Sequence, residues 1–204
     1  YNMINDAEIY AFTTFYTYSK IAAYYKPEWD VIAEYINDSV KVVITNNKPT
    51  EDQEAYLLEQ NVIVRTITFA YDALALIINN ENNDSLMTYD KIQDIFTGGI
   101  TSWKDINPES KLGDISVIFD HTKSGNIRYL KEKFGIAGDL PDNFFAVNSN
   151  PEVIDYISRN KNGLGIISVN WISDPDDSLS MSFIDKIRVV AVTNPSMDQS
   201  TYYR

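Results

Sequence analysis

The chain has 204 residues, with 17 Lys or Arg against 29 Asp or Glu, a formal net charge of −12, and 44% hydrophobic and 13% aromatic residues. This length and apolar content suit one or two compact domains that bury roughly 70% of their unfolded surface. The lack of cysteine excludes disulfides, thiolate metal sites and a cysteine nucleophile; a single histidine, His121, excludes two-histidine metal sites; and an acidic chain without a cluster of Lys and Arg argues against nucleic-acid binding.

The expected elements alternate along the chain. Helices are expected over Ile4–Tyr16 and Pro27–Ile36, followed by a buried strand over Val40–Thr45. Thr50-Glu51-Asp52-Gln53 has the form of a capping box, in which an N-cap hydroxyl and the side chain three residues later satisfy each other's backbone donors. Further strands are expected over Val62–Ile67 and Ala73–Ile78. The longest aliphatic run, Ala73–Ile78, is far short of the ~20 apolar residues of a membrane-spanning helix. The Asn-rich stretch Ile78–Asp84 reads as a surface connection. Thr88 should cap a helix over Tyr89–Thr97, with Met87 stapled against Ile92 and Gly98 or Gly99 ending it. A strand over Ile115–Phe119 precedes a helix over Gly125–Phe134 capped by Ser124. Asn150-Pro151 should open a helix over Glu152–Asn160, with Pro at the first helical position. Strands over Leu164–Val169 and Arg188–Val192 complete an α/β pattern with a mixed sheet and helices on both faces.

Two segments have the layout of a ligand loop. In Ile118-Phe119-Asp120-His121-Thr122-Lys123-Ser124-Gly125-Asn126, a buried strand ends in polar residues and a helix starts on small hydrogen-bonding ones. The first N–H groups of a helix lack acceptors inside it and carry a partial positive charge, so such a start suits an oxyanion. Thr45-Asn46-Asn47-Lys48, between the strand over Val40–Thr45 and the helix capped by Thr50, repeats the layout. Ligands of open α/β sheets bind beyond the carboxyl ends of strands. Each segment also reads as an ordinary capped loop, and these residues alone leave both readings open. Asp120, His121 and Ser124 crowd within five residues, unlike a catalytic triad, which is assembled from distant segments. The acidic run Ser173–Ser178 lacks the glycine and terminal glutamate of a calcium loop and reads as a solvated turn. No nucleophile–base pair, metal set or cofactor motif is present in the pattern, so a binding protein is expected rather than an enzyme.

The stretch Tyr71–Asn79, followed by Leu86-Met87-Thr88 and Ile95-Phe96-Thr97-Gly98-Gly99-Ile100-Thr101-Ser102-Trp103, resembles the phosphate-binding proteins of bacterial phosphate importers. Asn148-Ser149-Asn150-Pro151 and Gly163-Leu164-Gly165-Ile166 resemble the same family, and the order of motifs matches over roughly Val40–Val192, closest to the branch found in Bacteroidetes-type bacteria. The resemblance implies a two-lobed periplasmic-binding-protein-like fold of type II, the first lobe incomplete in this chain. Residues 1–70, with 189–204 returning to them, would form the first lobe, and 71–188 the second. It also implies a monomeric solute-binding protein, periplasmic or lipid-anchored at the cell envelope, that captures a small anion, phosphate by default, between its lobes for a membrane ABC permease. The alternative is a binding module of the same fold with a changed, neutral or peptide-like ligand. The family's helix-start phosphate loop falls on Ser124, Gly125 and Asn126, and its second loop on Asn46-Asn47-Lys48-Pro49, so that Thr45, Asn46, Asn47 and Lys48 join Ser124, Gly125 and Asn126 as the expected ligand residues. Two positions depart from the family: its loop arginine falls on Asp120, and its proton-accepting aspartate on Asn47. Asp120 is therefore expected to be paired, with Lys48 or Arg128, or turned to solvent, because a lone buried carboxylate beside an anion is costly.

Overall fold

A computed structural model describes residues 2–26, 28–45, 48–68, 70–71, 73–122, 124–194 and 201–203, and the chain divides into two compact units, Tyr1–Arg65 and Thr66–Arg204.

The first unit holds helices α1 (Asn2–Phe15), α2 (Glu28–Ile36) and α3 (Glu51–Glu59). The capping box forms as the sequence predicts: Gln53 N–H donates to Thr50 Oγ1 at 3.3 Å and Thr50 N–H donates to Gln53 Oε1 at 2.9 Å. Ile32 and Leu57 supply its buried apolar side chains among the described residues. The expected strands Val40–Thr45 and Val62–Ile67 do not form: the described residues of both ranges are in no ladder. A strand exists only when it is paired in a ladder with another strand, and neither run has one; Val42 is 82% and Ile63 77% exposed.

The second unit is built on β1 (Leu74–Asn79), β3 (Ser116–Phe119), β4 (Phe144–Ala146), β5 (Gly163–Ser168) and β6 (Ile187–Val189), in the order β4-β3-β5-β1-β6. β3 runs parallel to β4 and β5, whereas β1 is antiparallel to β5 and β6. Alternation along the strands feeds two cores. Leu76, Ile78, Val117, Phe119, Leu164 and Ile166 pack with side chains of α4 (Tyr89–Thr97), α5 (Trp103–Ile106) and α6 (Gly125–Lys133). On the opposite face Ala75, Ile77, Ile118 and Ile167 pack with α7 (Asn150–Arg159) and α8 (Ser178–Ile184). The mixed sheet with helices on both faces is the architecture read from the sequence. Gly165 lets α7 approach β5: a Cβ there would stand 2.7 Å from Ile77, 2.8 Å from Ile157 and 2.9 Å from Val153. Gly98, at φ 81°, ends α4 in the left-handed conformation expected of a helix-stopping glycine.

Two further readings are corrected. The strand expected over Arg188–Val192 is divided: β6 pairs with β1, and β7 (Ala191–Thr193) pairs in parallel with β2 (Leu86–Met87), while β8 (Tyr202–Tyr203) completes the small sheet β2-β7-β8. The hand-over lies between neighbouring amides, Val190 N–H to Leu76 O and Ala191 N–H to Ser85 O, each at 2.8 Å. The Asn-rich connection is not merely a surface stretch. Asn79 and Asn82 are buried; Asn79 Nδ2 donates to Ile157 O and Ser158 O near the end of α7, and Arg188 donates to Asn80 O and Asn82 O. These amides and the guanidinium satisfy backbone carbonyls that would otherwise be left unpaired where α7 ends and the chain turns.

Candidate anion-binding site

The connections of β3 and β4 define where a ligand fits. The chain leaves β3 for α6, on one face of the sheet, and leaves the neighbouring β4 for α7, on the other. Between adjacent strands whose connections part in this way, the carboxyl ends open a crevice, the usual ligand position of α/β sheets. The starts of α6 and α7 flank it.

At the start of α6, Ser124 N–H donates to His121 O at 2.9 Å, closing a tight turn, and Ser124 Oγ accepts from Ile127 N–H at 3.4 Å. Ser124 is thus an N-cap, as predicted, and its hydroxyl hydrogen is left for another acceptor. The N–H groups of Gly125 and Asn126 follow in the first turn, where no acceptor exists inside the helix. Asn126 is 8% exposed; its Oδ1 accepts from Ser168 Oγ at 3.4 Å, while its amide nitrogen has no hydrogen-bond partner among the described residues. Ser124, Gly125 and Asn126 therefore form one group of donors. Thr45 and Lys48 belong to the other unit, and Asn46 and Asn47 lie outside the described residues.

The start of α7 was underestimated in the sequence. It begins at Asn150, not Glu152, with Ser149 as N-cap accepting from Glu152 N–H at 3.4 Å and Pro151 one position into the helix. Asn150 Oδ1 accepts from Ser168 N–H, at the end of β5, at 3.1 Å, and Asn150 Nδ2 donates to Asp120 Oδ2, just beyond β3, at 3.3 Å. The expected pairing of Asp120 with a cation is not found among the described residues: its Oδ2 meets this neutral amide instead, and Arg128 is engaged by Glu132 on its own helix at 3.1 Å. Asp120 Oδ1 is buried without a hydrogen-bond partner. His121 is exposed, and the Ser124 hydroxyl serves the helix cap. Asp177, in the acidic run, caps α8 by accepting from Leu179 N–H and Ser180 N–H. Among the described residues no three His, Asp or Glu side chains are grouped to hold a metal ion. An open cavity of about 400 Å³ lined by Phe96, Thr97, Ile136, Asp139 and Pro141 lies beside the loop that enters β4, away from the carboxyl ends; it has no comparable set of converging donors.

A two-faced α/β unit with helix-start donors at the carboxyl ends of its parallel strands has the usual ligand position of such sheets. The chain belongs to the PBP superfamily domain family, whose model matches residues 2–203. It is 23% identical over 163 residues to the phosphate-binding protein PstS of Staphylococcus epidermidis, covering 76% of this chain and 49% of that protein. It is 24% identical over 136 residues to PstS of Staphylococcus saprophyticus, covering 65% of this chain and 42% of that protein. The chain thus spans about half the length of the curated relatives it matches. Its fold is that of an ABC-type phosphate transport receptor from Vibrio cholerae, with a TM-score of 0.71 at 19% identity, covering 93% of this chain and 72% of that one. A putative phosphate ABC transporter substrate-binding protein with bound phosphate from Clostridium perfringens is similarly related, with a TM-score of 0.70 at 22% identity over 92% of this chain and 70% of that one.

Proposed function

We propose that this chain is the ligand-binding part of an extracytoplasmic receptor that captures phosphate and delivers it to a membrane ABC permease. The observation that carries the reading is the donor group at the start of α6, where the Ser124 hydroxyl, the Gly125 and Asn126 N–H groups and the Asn126 amide stand together beyond the carboxyl end of β3. Donors of this kind hold an oxyanion by hydrogen bonds and the helix dipole without a neighbouring cation. The proteins to which the chain is similar are named for phosphate binding and phosphate transport, which supports phosphate as the oxyanion. Thr45, Asn46, Asn47 and Lys48 are proposed as further ligand residues on their correspondence with the family's second loop. The receptor is proposed to act as a monomer at the cell envelope, periplasmic or lipid-anchored. The reaction is capture and release, with no covalent step.

Isothermal titration of the protein with phosphate, beside sulfate and a neutral solute of similar size, tests the reading. Saturable phosphate binding, accompanied by a higher unfolding temperature because a ligand that binds the native state stabilises it, is the expected result. Absence of heat and of a thermal shift at millimolar phosphate refutes it.

A further inference from the structure

The buried oxygen of Asp120 has no role in the capture mechanism just described, and buried polar atoms without partners call for an explanation. A carboxylate directly beyond β3, four residues before the Ser124 cap, would compete with or repel an anion held at the start of α6. Its surroundings show how this is avoided. Asn150 is the first residue of α7, a helix of 10 residues, and its side chain is clamped between two partners. Ser168 N–H can only donate, so the Asn150 atom facing it is the oxygen; the amide nitrogen must then face Asp120, where it meets Oδ2 at 3.3 Å. The other carboxylate oxygen is inaccessible to solvent. The negative charge of Asp120 is thereby held at the start of α7, where the helix dipole favours it, and the start of α6 retains its donors. No ion pair among the described residues engages Asp120.

We infer that Asn150 is a positioning residue for ligand binding: its amide holds the Asp120 carboxylate on α7 and so keeps it from the anion site on α6. The inference rests on the reading that an anion binds at the start of α6. It makes the Asp120–Asn150 pair a determinant of affinity without requiring either residue to touch the ligand.

The test is a double-mutant cycle read by phosphate titration of the whole chain: wild type, Asn150→Ala, Asp120→Asn, and the double variant. Releasing the carboxylate in Asn150→Ala should weaken phosphate binding by about tenfold or more, the size of effect expected from an unrestrained like charge near an anion. In the Asp120→Asn background, where no charge remains to be restrained, the same Asn150→Ala change should alter affinity by less than about threefold, since coupled pairs are non-additive. Losing the Ser168 contact alone would weaken binding equally in both backgrounds, and that additive outcome overturns the inference. Urea midpoints of the four proteins, measured in parallel, identify any variant whose lost affinity is only lost folding; a loss that follows the midpoint also overturns it. Failure of the wild type to bind phosphate removes the functional reading and this inference together, whereas wild-type binding with an additive cycle removes only the inference.

Discussion

Replacing Ser124 by alanine separates the two tasks assigned to that hydroxyl. As an N-cap it accepts from Ile127 N–H at 3.4 Å, the long end of the range for a hydrogen bond. Its loss should therefore cost near the lower end of the N-cap range, about 0.5–1 kcal/mol of folding stability. In the proposed ligand role it would donate to a charged oxygen, and such a bond contributes about 1.5–3 kcal/mol, so affinity should fall by roughly 10- to 100-fold. The ligand effect thus exceeds the folding effect by a factor that two measurements can resolve. Calorimetric titration with phosphate gives the first and urea unfolding in the absence of phosphate gives the second. If the urea midpoint falls while the phosphate isotherm is unchanged, the Ser124 hydroxyl is a cap alone and takes no part in ligand binding. A ligand held entirely by backbone N–H groups would give the same result, and Gly125→Pro, which removes the first of those donors at a helical position that tolerates proline, should then abolish binding.

Two further outcomes follow from packing and charge. Gly165→Ala should destabilise the second unit by about 1–3 kcal/mol, because the added methyl overpacks the contact with Ile77, Val153 and Ile157; an unchanged urea midpoint would show that α7 can move away from β5 freely. The Asp177 carboxyl titrates below its ordinary value of 3.8, held down first by the backbone N–H of Ser180, then by that residue's side chain, with a smaller contribution from Leu179 N–H. A folded-state pKa below the unfolded one gives stability that is present above about pH 4 and disappears as pH falls through the folded value. Asp177→Asn keeps an acceptor at the cap but no titration, so the difference between its urea midpoint and that of the wild type should shrink below pH 4; a constant difference from pH 7 to pH 2.5 would disprove this.

The second unit was legible where short Val- and Ile-rich runs alternate with capped helices: the sheet strands β1, β3 and β5 and helices α4 and α6 lie within a residue or so of their expected places. The same signal failed at Val40–Thr45 and Val62–Ile67, because an apolar run records that a side chain avoids water and says nothing of whether a second strand is available to pair with it. β4 was missed for the opposite reason. It has three residues, sits at the edge of the sheet, and exposes half of Phe145, so it carries no periodic pattern to read. At the candidate site, Ser124, Gly125 and Asn126 were recognisable because cap, turn and donor are adjacent in sequence. Asn150 was visible only as part of a helix start, since its partners lie 18 and 30 residues away and a polar side chain gives no advance notice of a tertiary bond. Asn79 and Asn82 were read as surface residues on composition, yet their amides serve buried carbonyls.

The neighbouring amides of Val190 and Ala191 donate into two different sheets. One continuous backbone therefore stitches β1 to the Ser85–Met87 segment, and there is no loop between β6 and β7 in which slack can collect. Fraying of the small sheet should pull directly on the Ile77–Val189 pairing of the large one, so the two sheets are expected to open together rather than one by one. A cut in the chain at this junction would sever two ladders at once, which makes Val190 a poor place to divide the protein into fragments even though the secondary structure visibly breaks there.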